Sequence, residues 1–142
     1  NRKADLMLSV IRTASPDDLP TLQQHDRHIS TRELEHSVRL GRVYVAEAQS
    51  VFIGWLRWNL FWDNTPFMNL LYVLDAHRGQ GFGRSLVEHW EDQMKQAGYE
   101  TVMTSTQSDE YAQHFYRRLG YAAVGGFLPP GEAYELMLAK KL

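Results

Sequence analysis

"VLDAHRGQGFGRSLVEHW", residues 73–90, sets Arg78, Gly79, Gly81, Gly83 and Arg84 between an apolar run and the start of an amphipathic helix. The first turn of a helix carries unpaired backbone N–H groups and a partial positive charge, so it attracts anions. Glycines let a phosphate approach those groups closely. A strand, a glycine loop and a helix therefore make an anion cradle. Arg78 and Arg84 oppose the helix dipole at a cost of about a few tenths of a kcal/mol each, which a bound polyphosphate would turn into a gain. The spacing lacks the Gly-Lys-Ser/Thr end of a P-loop, and the three glycines do not form the dinucleotide fingerprint G-x-G-x-x-G. An ATPase or a dinucleotide-dependent dehydrogenase is disfavoured.

Around this stretch, 142 residues at 44% hydrophobic suit one domain with its own core, residues 1–142. A formal charge of -2 argues against a general nucleic-acid binder. With no cysteine there is no thiolate metal site and no cysteine acyl-enzyme. Nothing approaches a membrane span of roughly 20 apolar residues, and the Leu6–Ile11 stretch is too short for a secretory signal, so a cytoplasmic protein without membrane partners is expected. The opening NRKADL, ahead of Met7, reads as vector-derived or processed sequence.

The apolar period changes repeatedly along the chain. Residues 8–12 read as a strand, and Ser15 with Pro16 opens a helix. A second helix covers 31–40 and closes at Gly41. Strands at 43–48 and 51–61 form a hairpin about Gln49 and Ser50. After the loop DNTPF, the nearly continuous apolar run 68–74 reads as a mid-sheet strand covered on both faces. Leu86, Val87, Trp90, Met94 and Ala97 line one face of a helix over 83–97, stopped by Gly98, with Glu88, Glu91, Asp92 and Lys95 elsewhere. A strand at 101–104, a helix at 110–119 and strands at 121–124 and 134–138 complete the order.

These residues resemble a known family. Arg78-Gly79-Gln80-Gly81-Phe82-Gly83 is similar to the R/Q-x-x-G-x-G/A signature of the GNAT superfamily of acyl-CoA-dependent N-acyltransferases, and it follows LLYVL as that family's loop follows its central strand. Independently, AQHFYRRLGY, residues 112–121, resembles the family's A-x-x-F-Y-x-x-x-G-F/Y segment. The resemblance implies an α/β fold with a mixed, mostly antiparallel central sheet of six to seven strands flanked by four helices. It also implies direct transfer of acetyl from acetyl-CoA to a primary amine of a small molecule or peptide, in a ternary complex without a covalent enzyme intermediate.

By position, the resemblance implies that backbone groups of Gly79, Gly81, Gly83 and Arg84, in a loop completed by Arg78 and Phe82, hold the coenzyme A pyrophosphate. Leu71 and Val73 would sit on a strand that splays from its neighbour, pairing with the pantetheine arm and directing an N–H at the thioester carbonyl as an oxyanion donor. Tyr116 matches the family's general acid; a phenol of ordinary pKa about 10 stays protonated near neutrality and can serve a departing thiolate. Its bland alternative is core packing beside Phe115 and Leu119.

Two departures stand out. Asp75 replaces a common proline, and Asp109 replaces an asparagine expected to contact the coenzyme; Asp109 reads equally as the cap of a helix starting at Glu110. A lysine-like amine is neutral only about once in 2,500 molecules at pH 7, so a base should collect its proton. Asp63 and Glu33 are the candidates, each more simply a solvated charge. His25-x-x-His28 has metal-like spacing but lacks matching ligands, and no metal is expected. Trp55, Trp58, Phe61, Trp62 and Phe67 read mostly as hairpin core, with a share left to line an acceptor pocket beside the LPPG turn at 128–131. A non-catalytic acyl-CoA-binding module is the rival reading. An exposed edge strand would also permit a homodimer.

Overall fold

The computed structural model describes residues 9–142. Leu8 and the NRKADL segment lie outside the described residues. In chain order the elements are β1 (Ser9–Thr13), α1 (Leu19–His25), α2 (Thr31–Arg39), β2 (Val43–Ala48), β3 (Val51–Phe61), β4 (Thr65–Val73), α3 (Phe82–Gln96), β5 (Thr101–Gln107), α4 (Ala112–Arg118), β6 (Ala122–Phe127) and β7 (Glu135–Lys141). The strands form one sheet in the order β1-β2-β3-β4-β5-β7-β6. β4 and β5 run parallel, whereas the β1/β2, β2/β3, β5/β7 and β6/β7 pairs are antiparallel. Among the described residues this is the mixed, mostly antiparallel sheet with four α-helices that the family resemblance implied. Among the described residues no helix is long and apolar enough to cross a membrane.

The chain divides into two compact units. The first comprises the described residues through Asn59 together with Leu70–Trp90. Its core joins Leu22 of α1 and Leu34 and Val38 of α2 to Val43, Val45 and Trp55 of the hairpin. Ser30 caps α2 by accepting the Glu33 N–H at 3.2 Å. Gln49 and Ser50, both at positive φ, form the tight turn expected between β2 and β3. A buried ion pair lies beneath α1: the Asp26 carboxylate accepts from Arg57 Nε at 2.9 Å and from Trp55 Nε1 at 3.1 Å. Gly54 lets β3 approach β4 closely, since a Cβ there would stand 2.5 Å from the Tyr72 carbonyl oxygen.

The second unit comprises Leu60–Asn69 and Glu91–Leu142. Val102, Thr104 and Thr106 alternate into its interior from β5, joined by Leu138 of β7. The Tyr121 hydroxyl donates to Glu91 at 2.7 Å, and Lys140 Nζ donates to the same carboxylate at 2.9 Å. Glu91 is thus a buried, doubly satisfied anion, although helical spacing had put it on the solvent side.

Several boundaries differ from the sequence reading. β4 starts at Thr65, ahead of its registered pairing with β5 at Phe67, so Pro66 lies outside that ladder. β4 is central in strand order but is not covered on both faces: Asn69 and Tyr72 are exposed. β5 extends to Gln107, fully paired with β7. α4 begins only at Ala112. β6 continues through Gly125 and Gly126 by means of a bulge after Ala123, whereas the glycines had read as loop.

Candidate active site

In the first unit, Leu71 and Val73 lie at the end of β4, followed by a short 3-10 turn over Asp75–His77. Gly79 and Gly81 then adopt φ of 73° and 93°, a conformation glycine takes without the steric penalty other residues meet. Phe82 is buried and anchors the start of α3, and Gly83 already lies within the helix. The helical ladder opens with Ser85 N–H on the Gly81 carbonyl at 3.0 Å, so the N–H groups of Phe82, Gly83 and Arg84 precede it. A Cβ at Gly79 would touch nothing within 4 Å, so the loop backbone is open on that side. The donors and the open approach fit a pyrophosphate. A cavity of about 310 Å³ lies beside the loop, lined by Gln49, Val51, His77 and Gln80 among others.

The two arginines are engaged. Arg78 donates from Nε to the Val73 carbonyl at 3.0 Å, pairs with Asp75 at 3.0 Å and stacks over the Tyr72 ring at 4.9 Å. Asp75, where proline was expected, thus helps tie the loop to the end of β4. Arg84 pairs with Glu88 one turn along the helix at 2.7 Å. That pair is exposed and offsets part of the dipole conflict anticipated from the sequence.

In the second unit, Tyr116 is 8% exposed on α4, with the rings of Phe115 and Tyr121 at 5.3 and 5.9 Å. Burial pushes its phenol up to about 12, with Thr104 and the Glu110 carboxylate, which adds to the rise, beside it. The Thr104 hydroxyl itself donates to the Met68 carbonyl at 2.9 Å, and Thr106 holds Glu110 at 3.3 Å. Thr104 and Glu110 are the neighbours that sequence reasoning missed. The period-2 alternation of β5 was a signal for Thr104; nothing local marked Glu110.

Asp109 is exposed and does not cap α4. Glu110 N–H bonds back to Gln107 at 3.0 Å in a separate turn, which displaces the helix start and leaves Tyr111 at the cap position. Glu33, in the first turn of α2 in the first unit, and Asp63, at a φ of 62° in the β3–β4 turn of the second, are both exposed. His25 is half-buried and stacks on Phe52 at 5.2 Å, while His28 is exposed. Trp55 and Trp58 are core, but Trp62 is exposed.

Known proteins bear on this arrangement. No curated protein sequence matches the chain. Among solved structures, Ard1 from Thermoplasma volcanium superposes with a TM-score of 0.82 at 14% identity, over 95% of this chain and 98% of that one. A GNAT-family acetyltransferase from Bacillus cereus gives 0.76 at 21% identity, over 94% and 96%. Naa50 from Arabidopsis thaliana, in complex with the bisubstrate analogue CoA-Ac-MVNAL, gives 0.77 at 14% identity, over 95% and 99%. These likenesses concern the fold. The model of the acetyltransferase (GNAT) family matches residues 7–121, most of the chain and both of the motifs read from the sequence, so this protein belongs to that family.

Proposed function

We propose that the chain is an N-acetyltransferase that moves an acetyl group from acetyl-CoA directly to a primary amine of a small molecule or peptide within a ternary complex. The observation that carries this reading is the pair of left-handed glycines, Gly79 and Gly81, opening α3 with its first N–H groups unbonded to the helix, in a chain of the acetyltransferase family. Acetyl-CoA supplies the activated acyl group. The backbone N–H groups at Gly79, Gly81, Gly83 and Arg84 hold its pyrophosphate, with Arg78 and Phe82 fixing the loop, and Asp109 occupies the motif position read as a coenzyme contact. Leu71 and Val73 align the pantetheine arm, and a β4 N–H stabilises the negative charge that grows on the thioester oxygen. The amine nitrogen forms the new C–N bond, the C–S bond breaks, and the amine proton leaves to base or solvent.

Tyr116 serves the departing sulfur. An ordinary thiol ionises near 8.5, so full proton transfer from a phenol held at about 12 is uphill by about 5 kcal/mol. Tyr116 therefore acts chiefly as a hydrogen-bond donor that stabilises negative charge on sulfur in the transition state.

Calorimetric titration with acetyl-CoA, with ATP and NAD as controls and a Gly81→Val variant alongside, tests the reading. Binding of acetyl-CoA alone, lost in the variant, is the expected result and leads to an amine screen monitored by thiol release. Failure of acetyl-CoA to bind the folded wild-type chain overturns it.

A further inference from the structure

We propose that Tyr121, held by the buried Glu91–Lys140 pair, is a positioning residue that fixes the Tyr116 phenol for the reaction. The proposal rests on the role given to Tyr116 above. All four residues belong to the second unit.

α4 has only seven residues, and an isolated helix that short does not hold its own shape. Tyr116 lies in its last turn, where backbone carbonyls lack their regular helical partners. The chain just beyond supplies them. Gly120, at a φ of 100°, donates its N–H to the Arg117 carbonyl at 3.0 Å, and the Tyr121 N–H reaches back to the Tyr116 carbonyl at 3.1 Å. This is a Schellman closure, in which the residue after the glycine bonds to the third-last helical residue and commonly packs against it. Here those two residues are Tyr121 and Tyr116, with ring centroids 5.9 Å apart.

A closed backbone does not by itself orient a phenol. Apolar packing is non-directional, so a ring at residue 121 held by contact alone could turn or slide. The hydroxyl removes that freedom. It donates to Glu91 Oε2 at 2.7 Å, and Glu91 Oε1 accepts from Lys140 Nζ at 2.9 Å, so the carboxylate is held from both sides. Tyr121 and Glu91 are 3% and 7% exposed, and water does not compete for the bond between them. Lys140 also lies over the Tyr121 ring at 5.8 Å, in space that Gly120 leaves, since a Cβ there would stand 3.4 Å from Lys140 Cε. α3, β7 and the end of α4 thus converge on the ring that packs against Tyr116. Replacing a buried ion pair by apolar residues is often neutral or stabilising, so stability alone does not call for this arrangement. What it adds is direction.

Thiol release from acetyl-CoA, with hydroxylamine as a small amine acceptor, tests this in the wild type, Tyr121→Phe, Tyr116→Phe and the double variant. Circular dichroism checks that each is folded, and calorimetry gives its affinity for acetyl-CoA. Tyr121→Phe keeps the ring and the backbone closure and removes only the directing bond. Its kcat should fall about threefold to tenfold while KM and affinity for acetyl-CoA stay within about twofold. In the Tyr116→Phe background the same change should have no further effect, because no phenol is left to place. A loss of stability alone would slow both backgrounds alike. Glu91→Gln retains an oxygen acceptor for Tyr121 and should keep most of the rate that Glu91→Leu loses. Full turnover in Tyr121→Phe overturns the proposal, as do equal losses in the two backgrounds. A Tyr116→Phe variant as fast as the wild type removes Tyr116 from the mechanism and this proposal with it.

Discussion

A phenol held at about 12 restricts what Tyr116 can contribute at the level of a single residue. It remains a donor at any pH the protein would work at, and it cannot be the base that deprotonates the amine. Tyr116→Phe keeps the ring among Phe115 and Tyr121 but removes the donor, so turnover should fall at least about tenfold with little change in coenzyme affinity. An unchanged turnover would take Tyr116 out of the mechanism. The pH profile of the wild-type reaction offers a second check. Its rate should rise as the acceptor amine loses its proton and show no tyrosine-dependent decline below about pH 11, since the phenol ionises only near 12. Gly54 is a residue of a different kind. Gly54→Ala would push a methyl group to 2.5 Å from the Tyr72 carbonyl, a backbone atom that cannot move alone. Thermal unfolding should show a loss of about 1–3 kcal/mol. Calorimetry should show weaker coenzyme binding too, because β4 carries Val73, whose carbonyl anchors Arg78.

At the level of elements, what the sequence disclosed depended on whether a contact was local. The β2–β3 hairpin was legible to the residue, because two β-rich runs and a two-residue polar turn are properties of adjacent positions. The glycine loop and the buried stripe of α3 were legible for the same reason. The ends of β4, β5 and β6 were not, since strand length is set by which partner continues the ladder. The candidate site was readable as two motifs, with the alternation of β5 pointing to Thr104, while Glu110 emerges only when the turn ahead of α4 folds against β5. Asp26 illustrates the same limit: one aspartate after a short helix gives no sign that it will become the buried partner of Arg57 and Trp55, about thirty residues onward. Asp26→Ala would leave the Arg57 guanidinium buried without its anion and should destabilise the fold by about 3–5 kcal/mol, read from denaturant midpoints. Asp26→Asn retains the oxygen acceptor and should cost less. Equal losses would mean that the charge, and not the oxygen acceptor, carries the whole contribution.

For the molecule as a whole, the buried tyrosines set how stability changes with pH. Tyr44, Tyr116 and Tyr121 are all displaced upward, in each case first by burial. A group whose folded pKa exceeds its unfolded value contributes stability that is complete below the unfolded pKa and disappears as pH rises through the folded one. For Tyr116 that window runs from 10.0 to about 12, and the loss is about 1.4 kcal/mol per pH unit. Tyr121 adds to it, because ionising its hydroxyl would set a second anion against Glu91 at 2.7 Å. The acid side contains an opposing case: Arg12 holds Asp18 below the ordinary carboxylate range, so that contribution is present above the unfolded pKa and fades as pH falls. The pair is partly exposed, however, and solvent screening makes it weaker. The melting temperature should therefore fall more steeply above pH 10 than on the approach to acid. Tyr121→Phe isolates the cause. At pH 7 it deprives the buried Glu91 carboxylate of a donor and should cost about 1–3 kcal/mol. Above pH 10 the variant has one fewer phenol to ionise, so its curve should flatten and approach that of the wild type. Two curves running parallel to pH 12 would show that the Tyr121–Glu91 contact does not govern the alkaline limit, leaving Tyr116 and Tyr44 to account for it.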